Sequence, residues 1–331
     1  MKTFIEKIWE PGEYNYAAAY GFEPNIHGYL HDEDSAARDG IIIVPGGGYC
    51  MCVPPEAEIV AKAFYNRGMN AFVLTYTTDI TMSVPLKKQP LNDVARAVRF
   101  VRSRSAEYSL TNKLIINGGS AGAHVCGSLA VHFDDVPDAN PKYKDVSARP
   151  DGAILNYPVI TTGEFTHIYS VWALVGQNAP QSELDYFSLE KNVKPNTPPC
   201  FIWQTATDDL VPVENSYLFA RALKEKGVPF AHYVFPTGFH GLSVATEDFF
   251  KGNFGEPYTM EQVDRAVKAV KEGKGVNVSD QRRKELEAQF TDDAPPPPAQ
   301  PETPAQMAAK FRDVAMWPDL AMVWIASLSA N

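Results

Sequence analysis

Leu114-Ile115-Ile116-Asn117-Gly118-Gly119-Ser120-Ala121-Gly122 is a β-branched run that breaks into small residues around a serine, and a helical pattern follows it from Ala123 to Val131. A G-x-S-x-G is thereby set in the strand-turn-helix context that its chemistry requires. Small flanking residues permit a turn tight enough to lift the serine hydroxyl clear of a sheet, and N–H groups at the helix start can receive negative charge. A glycine-serine turn without function looks the same locally, so the reading depends on the rest of the chain.

Working outward, residues 25–245 alternate short β-branched runs with helical patterns, which predicts a mostly parallel sheet flanked by helices, an α/β fold. The runs at residues 40–44, 71–74, 114–116, 153–155 and 201–203 are apolar on both faces, as central strands covered on both sides would be. Helices are expected at residues 56–65, where Ile59, Val60, Ala63 and Phe64 form one stripe, and at residues 91–101, through Val94, Ala97, Val98 and Val101. Another is expected at about residues 213–226, with Pro212 near its first turn and Gly227 just past its end.

The 331 residues suit one large α/β domain, and 45% hydrophobic residues can fill its interior without disulfides or metals. The expected layout is a core at residues 1–244, a helical and proline-rich insertion at 245–316 serving as an arm or lid, and a C-terminal helix at 317–331 returning to the core. Within the insertion, Met260, Val263, Val267 and Val270 form an apolar stripe that must be covered by the core or by a second subunit. A more polar helix is expected at residues 281–290, and Pro295 to Pro298 should be extended polyproline II. Trp317 and Trp324 are its apolar anchors on return.

Lys and Arg total 30 against 40 Asp and Glu, a net charge of −10 that opposes nucleic-acid binding and offers no polybasic anchor for a membrane. Charge interrupts the apolar stretch at residues 1–9, so the expectation is a cytoplasmic protein. Cys50, Cys52, Cys126 and Cys200 contain no C-x-x-C, so free thiols and no metal site are expected.

Three further segments carry chemistry. Val44-Pro45-Gly46-Gly47-Gly48-Tyr49 ends a buried strand in consecutive glycines whose N–H groups can converge on one oxygen, an oxyanion hole's requirement; a phosphate loop is opposed by the absent G-K-[ST] and by Pro45. Thr205-Ala206-Thr207-Asp208-Asp209-Leu210-Val211-Pro212 closes a strand with two carboxylates. Asp208 is assigned as the acid of a triad, while Asp209 could serve the N-terminus of the following helix. Phe235-Pro236-Thr237-Gly238-Phe239-His240-Gly241 puts His240 on a glycine-flanked loop after the strand at 231–235, and His240 is the general-base candidate. Among the other histidines, His124 follows Ser120 on the same helix and is read as packing, His27, His31 and His132 lack a glycine-rich loop, His232 falls within a strand, and His167 could at most line a pocket.

The order Ser120, Asp208, His240 behind a triple-glycine loop resembles the α/β-hydrolase fold. More closely, P-G-G-G-Y at 45–49, G-x-S-A-G at 118–122, Asn156-Tyr157-Pro158-Val159-Ile160, the stretch from Asp208 to Ser216 and His240-Gly241-Leu242 are similar to bacterial acetyl-esterase and acetyl-xylan-esterase-like hydrolases, near the hormone-sensitive-lipase type. The resemblance covers residues 25–243 and resumes at Trp317-Pro318-Asp319-Leu320-Ala321, with Ala123 standing where the family more usually has glycine. It implies a serine carboxylesterase acting through Ser120, His240 and Asp208, with the oxyanion held by Ala121 N–H and the Gly47-Gly48 loop. Its substrate would be a small-molecule or oligosaccharide ester, acetyl on a carbohydrate hydroxyl above all, and no cofactor is implied. Tyr49, Tyr157 and Trp172 are candidates for the pocket. A serine hydrolase of amide or formamide bonds, and a non-catalytic binding protein of the same fold, are the alternatives. The insertion is expected to shape substrate access or to carry the contact of a homo-oligomer.

Overall fold

In the computed structural model of the chain, residues 1–34, 36–291 and 301–328 are described. The polyproline reading of Pro295 to Pro298 lies outside the described residues. The described strands are β1 (Lys2–Lys7), β2 (Asn25–Leu30), β3 (Arg38–Val44), β4 (Asn70–Thr75), β5 (Leu110–Gly119), β6 (Gly152–Asn156), β7 (Cys200–Thr205) and β8 (Phe230–Phe235). They form one sheet in the order β1-β2-β4-β3-β5-β6-β7-β8. The pairs β1/β2 and β2/β4 are antiparallel, and every neighbouring pair from β4 to β8 is parallel. The chain thus has the expected α/β-hydrolase fold, and β4, β6 and β7 are buried at every position, which is why they carry no hydrophobic-polar alternation.

The helices are α1 (Glu58–Tyr65), α2 (Gln89–Ser103), α3 (Ser120–His132), α4 (Ile168–Val175), α5 (Gln181–Phe187), α6 (Glu214–Glu225), α7 (Glu247–Phe250), α8 (Glu261–Lys271), α9 (Asp280–Gln289), α10 (Pro304–Lys310) and α11 (Trp317–Ser327). Side chains of β3 alternate between the sheet's two faces, as a period of two demands. Ile42 and Val44 pack with Val94 and Val98 of α2 and Leu129 of α3, while Ile41 and Ile43 pack with Val60 and Phe64 of α1 and Trp317 and Ile325 of α11. The expected start of α1 at residue 56 is corrected. A 3₁₀ turn at Pro54–Glu56 precedes it and Ala57 leaves helical geometry at ψ −104°, so Glu56 is free to face inward.

Residues past Val244 stay on this body. In α8, Val263, Val267 and Val270 are buried against Ile80 and Leu286, with Met260 partly buried beside them, so the same chain covers the apolar stripe. Gln262 clamps the backbone of Thr78, accepting its N–H and donating to its carbonyl, and Thr259 donates to the Cys52 carbonyl at 2.7 Å. Farther on, Phe311 meets Phe239 edge to face at 5.7 Å. Trp317 stacks on Trp203 at 5.5 Å and donates its indole N–H to the Ser243 carbonyl at 2.8 Å, while Trp324 is also buried. Among the described residues, no helix is long and apolar enough to cross a membrane.

Trp317→Ala should lower unfolding stability in urea by about 3–5 kcal/mol, the usual cost of emptying a site of this size. Trp317→Phe keeps part of the stack but loses the indole donor and one fused ring, so it should cost about 1–3 kcal/mol. Equal midpoints for the two variants would refute this account of how α11 is anchored.

Candidate active site

The strands deliver the expected residues from the same end of the sheet. β3 and β5 are adjacent and parallel, with Val44 opposite Gly118, so the glycine loop after β3 and the serine turn after β5 emerge side by side. Ser120 takes φ +53°, a left-handed conformation that costs a non-glycine residue energy and that tight packing must hold. That packing is visible at Gly122, where a Cβ would come within 2.0 Å of the Val44 carbonyl oxygen. Gly46 is as close to the turn, since a Cβ there would lie 2.9 Å from Ser120 Cβ.

His240, on the loop after β8, places Nε2 2.8 Å from Ser120 Oγ. Its Nδ1 lies 2.8 and 3.1 Å from the two oxygens of Asp208. The Asp208 side chain is fully buried, and its Oδ1 also accepts the N–H groups of Val211 at 2.9 Å and Leu210 at 3.0 Å. Burial by itself would raise this carboxyl, but the His240 hydrogen bond and charge together with the two amides hold it below the ordinary aspartate value. Asp209 does not serve a helix terminus, the other reading open to it. Its Oδ1 accepts the backbone N–H of His240 at 3.0 Å, so neighbouring carboxylates grip the same histidine by ring and by main chain. Thr205 and Thr207 hydroxyls fasten the loop further by donating to the Gly238 carbonyl at 3.0 and 2.9 Å.

In the glycine loop, Gly47 and Gly48 take φ of +124° and +63°. Neither of their N–H groups donates to a protein acceptor among the described residues, and Ala121, in the first turn of α3, has no intrahelical acceptor for its own. Ala121 follows Ser120 directly, and the loop reaches the serine turn at Gly46, the residue before Gly47. The preceding N–H, that of Gly46, is taken by Glu56 Oε2 at 2.8 Å.

Sequence reasoning missed Glu56, which reads locally as a first-turn helix acid. It is 7% exposed and lies at the junction of the site's loops. A Cβ on Gly119 would fall 2.2 Å from its Oε2, and one on Gly241 would fall 4.0 Å from its Oε1. The Tyr157 hydroxyl also bonds to it. Burial pushes the Glu56 carboxyl up, against the pull of the Gly46 amide and of His240.

The three pocket candidates part company. Tyr157 is buried rather than set on an open wall: its ring meets His240 edge to face at 5.1 Å, so it backs the loop that carries His240. Tyr49 is buried too, its hydroxyl 2.6 Å from Nδ1 of His124, whose Nε2 meets the Phe187 carbonyl at 2.8 Å. Burial brings His124 down to about 4, so it packs as a neutral ring. Only Trp172 lines a wide cleft. His167, at the start of α4, bonds to Ser170 Oγ at 2.8 Å and is near enough to His240 and Asp208 to feel their charges. Among the described residues, no group of three or more His, Cys, Asp or Glu could hold a metal ion. The arrangement joins a hydroxyl, a base and an orienting acid, with unengaged N–H donors at hand, as base-assisted nucleophilic attack on a carbonyl requires.

Removing the acceptor at Glu56 should disturb the glycine loop. Glu56→Ala leaves a buried amide unpaired, so hydrolysis of a small activated acetate ester should fall about 10- to 100-fold, mainly in kcat, a part of what losing a whole oxyanion donor costs. Glu56→Gln, which still offers an acceptor, should stay within about tenfold of the parent. Equal loss in both variants would place the effect in the charge instead.

Residues 27–223, more than half of the chain, match the model of the BD-FAE family. Endo-1,4-beta-xylanase B of Butyrivibrio fibrisolvens is 64% identical over 271 residues, which are 82% of this chain and 42% of that protein. Acetylxylan esterase of Xylanibacter ruminicola is 28% identical over 216 residues, 62% of this chain and 41% of that protein. The chain thus spans about two-fifths of the length of either relative. Among solved structures, an acetyl ester-xyloside bifunctional hydrolase from Caldicellulosiruptor lactoaceticus is 34% identical and superimposes with a TM-score of 0.69 over 82% of this chain and 97% of that one. The carboxylesterase Cest-2923 of Lactobacillus plantarum shares the fold over the full length of both chains, with a TM-score of 0.65 at 21% identity. Given this strand order, the serine turn between β5 and α3 and the extent of the match, the chain belongs to the BD-FAE family of α/β-hydrolase proteins.

Proposed function

We propose that the chain is a serine carboxylesterase that removes short acyl groups, acetyl above all, from carbohydrate hydroxyls. The observation that carries the reading is the continuous hydrogen bonding from Ser120 Oγ through His240 to the buried Asp208. His240 Nε2 takes the serine proton as Oγ attacks the ester carbonyl, and Asp208 keeps the imidazole in the right tautomer and balances its charge. The tetrahedral oxyanion is received by the N–H groups of Ala121, Gly47 and Gly48, each such donor typically worth about 3 kcal/mol of barrier. His240 then protonates the departing sugar oxygen, and a water activated by the same ring cleaves the acyl-enzyme. Support for a sugar ester comes from the relatives, one named an acetylxylan esterase and another an acetyl ester-xyloside hydrolase.

The test is acetate release from acetylated xylo-oligosaccharides and from a small activated acetate ester, with covalent labelling of Ser120 by a fluorophosphonate. Ser120→Ala should abolish labelling and lower turnover by at least about three orders of magnitude while leaving the fold intact. Asp208→Asn should cost up to about four orders of magnitude by favouring the wrong tautomer. Asp209→Asn should cost far less, because it loosens the backbone of His240 without touching the ring. Turnover near the parent level in Ser120→Ala would overturn the mechanism, and acetate release from the small ester alone would overturn the carbohydrate assignment.

A further inference from the structure

A cleft of about 610 Å³ opens between residues 81–85, α4 and the first turns of α9. Its volume lies within the roughly 300–1,000 Å³ common to small-molecule sites. One wall is aromatic: Tyr169 is 60% exposed and meets Trp172, one turn farther along α4, edge to face at 5.5 Å. Another wall is amide-rich, with Gln177, Asn277 and Gln281. Among the described residues, the side-chain amides of Gln177 and Asn277 and the indole N–H of Trp172 have no protein partner, so they remain available to a ligand.

Charge selects the class of ligand. The cleft's Arg282 and Glu285 are paired with each other at 2.9 Å, and the guanidinium also donates to the Ile80 carbonyl at 2.6 Å. Among the described residues that line the cleft, no unbalanced charge is left to hold a phosphate or carboxylate. A pyranose instead offers C–H groups on its faces, which suit an aromatic wall, and hydroxyls around its rim, which suit amides. The walls are already fixed. Ser83 donates to the Val276 carbonyl at 2.6 Å and Tyr20 accepts the Val276 N–H at 3.0 Å, so the segment bearing Asn277 is held in place without a ligand.

The start of α4 connects the cleft to the surroundings of Ser120. The Tyr169 ring lies 6.2 Å from that of His167, the histidine coupled electrostatically to His240 and Asp208. A Cβ on Gly48 would sit 3.9 Å from Ser170 Oγ on the same helix. From His167 to Trp172 the helix rises only about 7.5 Å at 1.5 Å per residue.

We propose that this cleft is the subsite for the neutral sugar chain that carries the ester, with Tyr169 and Trp172 as its stacking wall and Gln177, Asn277 and Gln281 reading hydroxyls. The inference deepens the carbohydrate-ester reading and rests on it. It also assigns a role to the segment after the catalytic histidine, which supplies Asn277 and Gln281.

Binding of unsubstituted xylotetraose to the intact chain, followed by calorimetry and by tryptophan fluorescence, tests the subsite without requiring turnover. Saturable binding is expected, weakened at least tenfold in Trp172→Ala and in Tyr169→Ala and at least threefold in Asn277→Ala, with an acidic oligogalacturonide failing to compete. Tyr169 and Asn277 lie at the surface, so their variants still decide the matter should Trp172→Ala unfold. Absence of saturable binding, or equal affinity in the parent, Tyr169→Ala and Asn277→Ala, would overturn the subsite. A chain that cleaves a small acetate ester but shows either result keeps the esterase reading and loses the subsite. One that binds xylotetraose through these residues yet releases no acetate from any ester loses the esterase reading and keeps the subsite.

Discussion

The approach of the first turn of α3 to the end of β3 is the constraint on which the site depends. At Gly122 the helix runs so close to the Val44 and Pro45 carbonyls that no side chain fits, and this contact holds Ser120 in its left-handed conformation beside the glycine loop. Parallel order does the remainder. Successive strands β5, β6, β7 and β8 bring Ser120, Tyr157, Asp208 and His240 to the same carboxyl end of the sheet, which is where open α/β sheets gather their ligands. Residues far apart in the chain become neighbours because the strands before them are neighbours.

Around that junction the polar groups are arranged so that few are left without a partner. Asp208 receives two backbone amides besides the histidine, and Asp209 receives the histidine's own N–H. Glu56 occupies a position of the same kind at the glycine loop, bonding Gly46 while touching the serine turn and Tyr157. A buried carboxylate is expensive unless its oxygens are occupied, and a fully occupied one fixes its surroundings. Among the described residues, the amides of Gly47, Gly48 and Ala121 stand out against this background as donors without protein acceptors.

The segment after Val244 contributes in a different way. α8 closes an apolar patch over Ile80 and clamps Thr78, while the chain near α9 bonds to residues 80 and 83. The loop it grips follows β4 and is tied to the glycine loop, because the Tyr49 carbonyl accepts the Asp79 N–H at 3.0 Å. The segment after Val244 is thereby packed beside the flank of the glycine loop.

By itself the sequence determined the α/β class, the doubly buried strands, the serine turn and the candidates Asp208 and His240, because each of these is written locally, in periodicity, in glycine placement and in residue type at a strand end. It was silent on β1, whose Lys2, Glu6 and Lys7 mask an edge strand, and on α4 and α5, which lie in a stretch read only for its aromatic residues. The partition of Tyr49, Tyr157 and Trp172, the engagement of Asp209 and the burial of Glu56 were decided by tertiary structure alone. In each case the outcome depends on which distant group arrives next to a side chain. Gly46 reaches Glu56, His240 reaches Asp209, and residues 277–285 meet α4 only after the sheet has closed its order, and such long-range pairings leave no mark on local spacing.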